Sequence, residues 1–190
     1  MSAKGIKRIR ILCISPMEHL AEARQELEAI GDVDYHLYDH ETLMNHIAPY
    51  HVLIPSLEVD IDRLVLDRAV SLKVIATPTT GTDHIDLAYA AQRGIRIVSL
   101  RDDHEFLKDI QSTAELAWLL MLALLRHLPK AVQSVKQGEW ERSKFRGYEV
   151  YGKTLGILGY GRLGRMMSRF AHAFGMKVIA CDPHKKIADR

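Results

Sequence analysis

The sequence predicts an α/β protein in two parts: a parallel-sheet domain over residues 1–98, then the first part of a second α/β domain over residues 99–190. Three observations predict it. Short apolar runs rich in β-branched residues alternate with segments of helical spacing through the first part. A long apolar helical run stands between the two parts. Beyond it a strand, a glycine turn, a helix and a second strand follow in succession up to Asp182.

The runs at 9–14, 33–38, 51–55, 73–77 and 95–98 are bounded by turn or polar residues, the pattern of buried parallel strands. Between the first two, Leu20, Ala23, Leu27 and Ile30 share one helical face over residues 17–30, and Gly31 supplies a stop. Further helices are expected at 41–47, 61–71 and 86–93. Parallel strands need crossover connections, so this alternation implies a sheet covered on both faces.

At 112–115 the sequence "STAE" is a capping-box pattern, with Ser112 as cap and Glu115 reaching back. The helix it opens runs to Arg126, and Pro129 follows its end. Apolar around its circumference, this helix requires cover on every side, from its own fold or from a second copy. A shorter helix is expected at 130–140, after which "GYEVYGKT" leads into a strand at 155–158.

Composition narrows the function classes. Lys and Arg number 26 against 24 acids, so a net charge of +2 makes no electrostatic case for nucleic acid. Two cysteines are too few for a disulfide framework, and Cys13 and Cys181, each in a strand-like run, read as buried reduced thiols. The opening residues hold too short an apolar stretch for a signal peptide. The longest apolar run, 116–125, is about half of the roughly 20 residues a membrane span needs. A soluble, cytoplasmic protein without membrane partners is expected. The ten histidines show no metal-ligand clustering: the pairs His36 with His40 and His46 with His51 lack supporting acids or cysteines, so no metal is expected. No Ser/His/Asp or Cys/His nucleophile arrangement is present either.

The glycine turn is the strongest chemical signal. "GYGRLG" begins at Gly159 directly after the strand at 155–158. Leu163, Met167, Phe170 and Phe174 share a face of the following helix, Gly175 ends it, and a strand at 177–181 closes with Asp182. This is the βαβ context of a Rossmann dinucleotide fingerprint. Gly159 permits the tight turn, Gly161 lets backbone approach a pyrophosphate, and Gly164 lets helix and strand pack closely. The pyrophosphate would rest on the open amides at the helix start. Asp182, 18 residues beyond Gly164, stands where an acid accepts both ribose hydroxyls, which favours NAD over NADP. Lys185 and Lys186 follow closely and either read as solvated surface lysines or soften that preference. An incidental glycine-rich turn is the competing account of the motif.

Four stretches in order, "TTGTDHIDLAYAAQRGIRIVSL", "STAELAWLLMLALLRHLPKA", "GEW" and "GKTLGILGYGRLGRMMSRFAHAFGMKVIACDP", resemble the D-isomer-specific 2-hydroxyacid dehydrogenases, a likeness covering nearly all of residues 50–190. The resemblance implies a flavodoxin-like substrate domain with a Rossmann NAD-binding domain inserted into it, NAD as cofactor, and interconversion of a 2-hydroxy acid and a 2-keto acid by hydride transfer. It also implies a homodimer paired through the nucleotide domains near the apolar helix.

Residue by residue, Thr80 and Gly81 match the loop whose amides hold the substrate carboxylate, a suitable device because amides bind an anion without adding a titrating group. An ordinary strand-to-helix turn capped by Asp83 or Thr82 accounts for the same residues. Ser56 matches a position lining the same cleft, or is a simple loop serine. Thr113 matches a residue beside the nicotinamide, though the first turn of a helix is itself a common place for threonine. Arg162 and Leu163 match the pair whose amides meet the pyrophosphate, with the Arg162 side chain adding charge there or pointing to solvent. His84 stands where relatives commonly have Asn. The family's arginine, glutamate and histidine that act on the reacting groups follow Asp182 by more residues than remain here, and His184 does not match that histidine. No catalytic residue is therefore expected in these 190 residues, and the chain reads as the front part of such an enzyme. The alternative is a non-catalytic NAD-binding or protein-interaction module of the corepressor type, which relatives on this scaffold exemplify.

Overall fold

The computed structural model describes residues 8–17, 19–184 and 186. The chain divides between His104 and Glu105 into two compact units.

The first unit alternates strand and helix throughout: β1 (Ile9–Cys13), α1 (Ala21–Ile30), β2 (Gly31–Tyr35), α2 (His40–His46), β3 (Val52–Ile54), α3 (Arg63–Arg68), β4 (Val74–Thr77), α4 (Leu87–Gln92) and β5 (Arg96–Ser99). All five strands are parallel, in the order β2-β1-β3-β4-β5. That is the flavodoxin-like order, with its reversal of direction between β1 and β3. One sheet face packs Leu12, Ile14, Leu53 and Ile75 against Leu43, Ile47, Val65, Leu66 and Ala90 of α2, α3 and α4. The opposite face packs Ile11, Cys13 and Ile54 against Leu27 of α1. The three helices on the larger face are each opened by an aspartate, Asp39, Asp62 and Asp86, whose carboxylate accepts the backbone N–H three residues on.

Several boundaries differ from the sequence reading. Gly31 stops α1 as its C-cap, its N–H donating to the Leu27 carbonyl, and the chain enters the next strand without a loop. The glycine is extended (φ −168°) and is the first residue of β2, paired with Ile9, so the strand covers Gly31–Tyr35 rather than 33–38. A side chain there would strike the Ile9 carbonyl oxygen at 2.3 Å. Beyond the strand, the His36 and Tyr38 rings stack at 4.7 Å. Helix α3 is shorter than 61–71 because Ile61 bridges to Ile85 and Asp62 caps from outside. The turn before α4 is capped by Asp86, not by Asp83 or Thr82.

A 3₁₀ turn (Leu100–Asp102) follows in the first unit, and the short α5 (His104–Leu107) runs across the division. The second unit holds α6 (Ser112–Leu125), α7 (Leu128–Lys136), β6 (Thr154–Leu158), α8 (Arg162–Ala173) and β7 (Lys177–Cys181). Strands β6 and β7 form a two-stranded parallel sheet. Trp118 of α6 packs its ring against Phe170 and Phe174 at 5.9 and 4.9 Å, beside Val150, Ala171 and Met176.

Ser112 is not a cap. The helix begins at it, Gln111 occupies the N-cap, and no side chain caps this end. Helix α7 starts two residues before Lys130, with Pro129 in its first turn, where a missing N–H costs nothing. It ends at Lys136, well before Trp140. Cys13 is buried as expected, but Cys181 is exposed, because it shares with Ile179 the face of β7 that nothing among the described residues covers. Helix α6 buries Ala114 and Trp118, while Leu116, Leu119, Leu120 and Leu124 are 54–73% exposed, so its own fold covers one side only. Among the described residues no helix is long and apolar enough to cross a membrane.

Candidate functional site

Two places concentrate the residues singled out from sequence, one in each unit. In the first unit they lie at the carboxyl ends of the central strands, where open parallel sheets bind ligands. Ser56 follows β3, half-buried, and its hydroxyl accepts the Glu58 N–H at 3.2 Å. Thr80 and Gly81 follow β4, the neighbouring strand, and both are exposed. Among the described residues no acceptor meets the N–H of Thr80 or of Gly81.

This loop is pinned from both sides. The Thr79 carbonyl accepts the Leu100 N–H at 3.0 Å. The Gly81 carbonyl accepts the Thr79 hydroxyl at 2.7 Å, and the Thr77 and Thr79 hydroxyls meet at 2.7 Å. Sequence reasoning passed over Thr77 and Thr79; the available signal was the run "TPTT" leaving a strand. His84 is buried, its carbonyl accepts the Ile61 N–H at 2.7 Å, and its Nε2 meets no partner among the described residues.

In the second unit the glycine turn joins β6 to α8. The three glycines differ in what they answer to. Gly159 has φ +93°, a conformation that side-chain-bearing residues rarely adopt. A Cβ at Gly164 would meet the Gly159 carbonyl oxygen at 2.2 Å and Ile157 Cγ2 at 3.2 Å, so close helix–strand packing requires glycine. A Cβ at Gly161 would meet nothing within 4 Å, and its φ is an ordinary −76°. Nothing in the protein demands glycine there; a ligand lying against the backbone would. The amides of Gly161, Arg162 and Leu163 meet no acceptor among the described residues, as the first turn of a helix leaves them.

Asp182 holds the turn closed. Its carboxylate accepts the Tyr160 N–H at 2.8 Å and the His184 N–H at 2.9 Å, while Gly159 N–H donates to the Cys181 carbonyl at 2.7 Å. A carboxylate oxygen can accept more than one donor, so these bonds do not bar a further one. The Arg162 side chain does not simply point to solvent. Its Nη1 donates to the carbonyls of Leu107 at 3.2 Å and Ile110 at 2.5 Å, tying the start of α8 to the segment before α6. Leu163 and Thr113 are exposed, the latter in the first turn of α6. Lys186 is exposed, and Lys185 lies outside the described residues.

The histidines of the two spaced pairs have other partners. His36 stacks on Tyr38, His40 Nε2 lies 3.2 Å from Asp62, His46 Nδ1 lies 2.8 Å from the Thr42 carbonyl, and His51 Nδ1 accepts the Arg10 N–H. Among the described residues no three His, Cys, Asp or Glu side chains cluster to hold a metal.

With this geometry in hand, similarity to known proteins is informative. Residues 11–151 match the family model for the D-isomer specific 2-hydroxyacid dehydrogenase catalytic domain, and residues 118–190 match the model for the NAD binding domain of the same enzymes. The chain is 38% identical over 184 residues to D-3-phosphoglycerate dehydrogenase of Methanocaldococcus jannaschii, an alignment covering 95% of this chain and 34% of that one. It is 36% identical over 166 residues to hydroxypyruvate reductase of Thermotoga maritima, covering 87% and 51%. The crystal structure of the TT0316 protein from Thermus thermophilus superposes with a TM-score of 0.79 at 31% identity, covering 94% of this chain and 57% of that one. The chain spans about a third to about half the length of these curated relatives.

Proposed function

The chain belongs to the D-isomer specific 2-hydroxyacid dehydrogenase family, and from that premise we propose that the protein interconverts a 2-hydroxy acid and a 2-keto acid with NAD. The observation that carries this reading is the glycine at 161, which packing and backbone conformation leave unexplained and a pyrophosphate explains. NAD, when bound, supplies the hydride-accepting ring. The amides of Gly161, Arg162 and Leu163 hold the pyrophosphate at the positive end of α8, with Gly159 and Gly164 shaping the turn. Asp182 accepts from the ribose hydroxyls while it holds the turn through Tyr160 and His184. Thr113 stands beside the nicotinamide, and the amides of Thr80 and Gly81 take the substrate carboxylate, with Ser56 lining the same cleft. These residues bind and orient.

We also place the protein in the cytoplasm, where two unbridged thiols stay reduced, and read it as a homodimer. The bare leucines of α6 and Trp140, 91% exposed, support the dimer.

Cofactor choice gives the test. Titrated into the chain and followed by its fluorescence, NADH binds more tightly than NADPH, and Asp182→Ala narrows the difference while circular dichroism checks that the fold survives. Equal or tighter NADPH binding by the unaltered chain overturns the assignment.

A further inference from the structure

The hydroxyls of Thr77 and Thr79 form a short directed chain. Thr79 has one hydroxyl proton, and at 2.7 Å it goes to the Gly81 carbonyl, which can only accept. In the second contact, also 2.7 Å, Thr79 must therefore accept and Thr77 must donate. The order Thr77 to Thr79 to Gly81 follows from counting protons. Thr77 is the last residue of β4 and is 4% exposed, so the chain is anchored in the sheet rather than in the loop.

What this anchoring does follows from peptide geometry. A trans peptide places its C=O and N–H on opposite sides. The Thr79 carbonyl is drawn to the Leu100 N–H, which turns the Thr80 N–H away from β5 and the residues after it. The Gly81 carbonyl is drawn to the Thr79 hydroxyl, which fixes the peptide unit on the other side of the Gly81 N–H. The Thr80 N–H thus belongs to one fixed peptide unit, and the Gly81 N–H belongs to the unit between that one and the other fixed unit. Gly81 has no side chain to hold its own conformation, and a Cβ there would only come within 3.5 Å of Asp83 Oδ2. Left to itself, such a glycine loop would sample many orientations.

We propose that Thr79, held by Thr77, is the positioning residue that presets the Thr80 and Gly81 amides for a carboxylate, an inference that rests on the carboxylate-binding reading of that loop. Thr79 touches no substrate. It acts by removing the cost of ordering the loop when the anion arrives.

The test is an amide chemical-shift titration of the 190-residue chain with pyruvate, using methyl pyruvate as the uncharged control. The unaltered chain shifts its Thr80 and Gly81 resonances saturably with pyruvate and not with the ester. Thr79→Val, which keeps the shape and removes the hydroxyl, raises the dissociation constant about three- to tenfold, the range of one hydrogen bond. Thr79→Ser restores binding to within about twofold, since the hydroxyl and not the methyl is required, and Thr77→Val gives a smaller loss. An unaltered chain that shows no pyruvate shifts removes the carboxylate loop itself, and this inference with it. Pyruvate binding that is equally tight in the unaltered chain and Thr79→Val, both with native amide spectra, overturns the positioning role alone. So does a Thr79→Ser chain as weak as Thr79→Val.

Discussion

At the scale of single residues, the three glycines of the turn separate structural from functional demands. Gly164→Ala would drive a methyl group into the Gly159 carbonyl oxygen, 2.2 Å away. The expected cost is about 1–3 kcal/mol, as for other overpacked contacts, seen as a lowered midpoint in urea. An unchanged midpoint would mean that α8 and β6 are not so closely seated. The roles of Gly159 and Gly164 were legible in the sequence because their reasons are local: a turn conformation and a contact five residues back. Arg162 was not legible in the same way. Its carbonyl partners lie 52 and 55 residues earlier in the chain, and no local pattern announces so distant a bond. Thr77 and Thr79 were missed for a different reason, since a threonine hydroxyl has no sequence signature until its acceptor is placed.

At the scale of elements, strand edges and helix ends show where local rules yield to packing. Gly31 is the helix stop that its residue type announces, and it is also the first residue of β2, where its neighbour Ile9 leaves room for no side chain. Ser112 has the residue type of a cap, but α6 begins at it and Gln111 takes the position before. The strands β1, β2 and β3 are joined at one place by a polar cluster. Tyr50 donates to Asp34 Oδ2 at 2.7 Å, and Arg10 lies over the Tyr50 ring at 4.7 Å while reaching the same carboxylate. Burial, followed by the hydrogen bond to Asp34 and its charge, pushes the Tyr50 hydroxyl from the ordinary 10.0 up to about 12. The folded state thus favours the protonated phenol. This stabilisation is complete below the unfolded value of 10.0 and is lost as pH rises toward 12. Denaturant unfolding of the unaltered chain should therefore weaken between those limits by more than that of Tyr50→Phe. Parallel pH profiles for the two would contradict it.

At the scale of the whole molecule, the first unit carries a five-stranded parallel sheet and the second, among the described residues, a two-stranded one. Five parallel strands in flavodoxin-like order were legible as alternating runs, because each buried strand is a continuous apolar stretch. In the second unit β6 and β7 have no further strand beside them among the described residues, and Leu158 and Ile179 are 93% and 67% exposed. Such edges and faces pair readily with other chains. The leucine face of α6 is the surface expected to form the dimer, since Leu116, Leu119, Leu120 and Leu124 stand together on one helix. Sedimentation at micromolar concentration should give twice the chain mass, and Leu120→Glu should give the chain mass alone. A monomer from the unaltered chain would remove the dimer.

The central claim is that the turn at Gly159 to Gly164 holds the pyrophosphate of NAD, and calorimetric titration of NAD into Gly161→Val tests it most directly. A Cβ at this position meets no protein atom within 4 Å, so the variant should keep the fold and melt within a few degrees of the unaltered chain, valine being the poorer N-cap of α8. It should nevertheless lose NAD binding, because the side chain fills the space where the pyrophosphate lies, while the unaltered chain binds saturably. Equal NAD affinity in the two chains, with melting that close, would contradict the account.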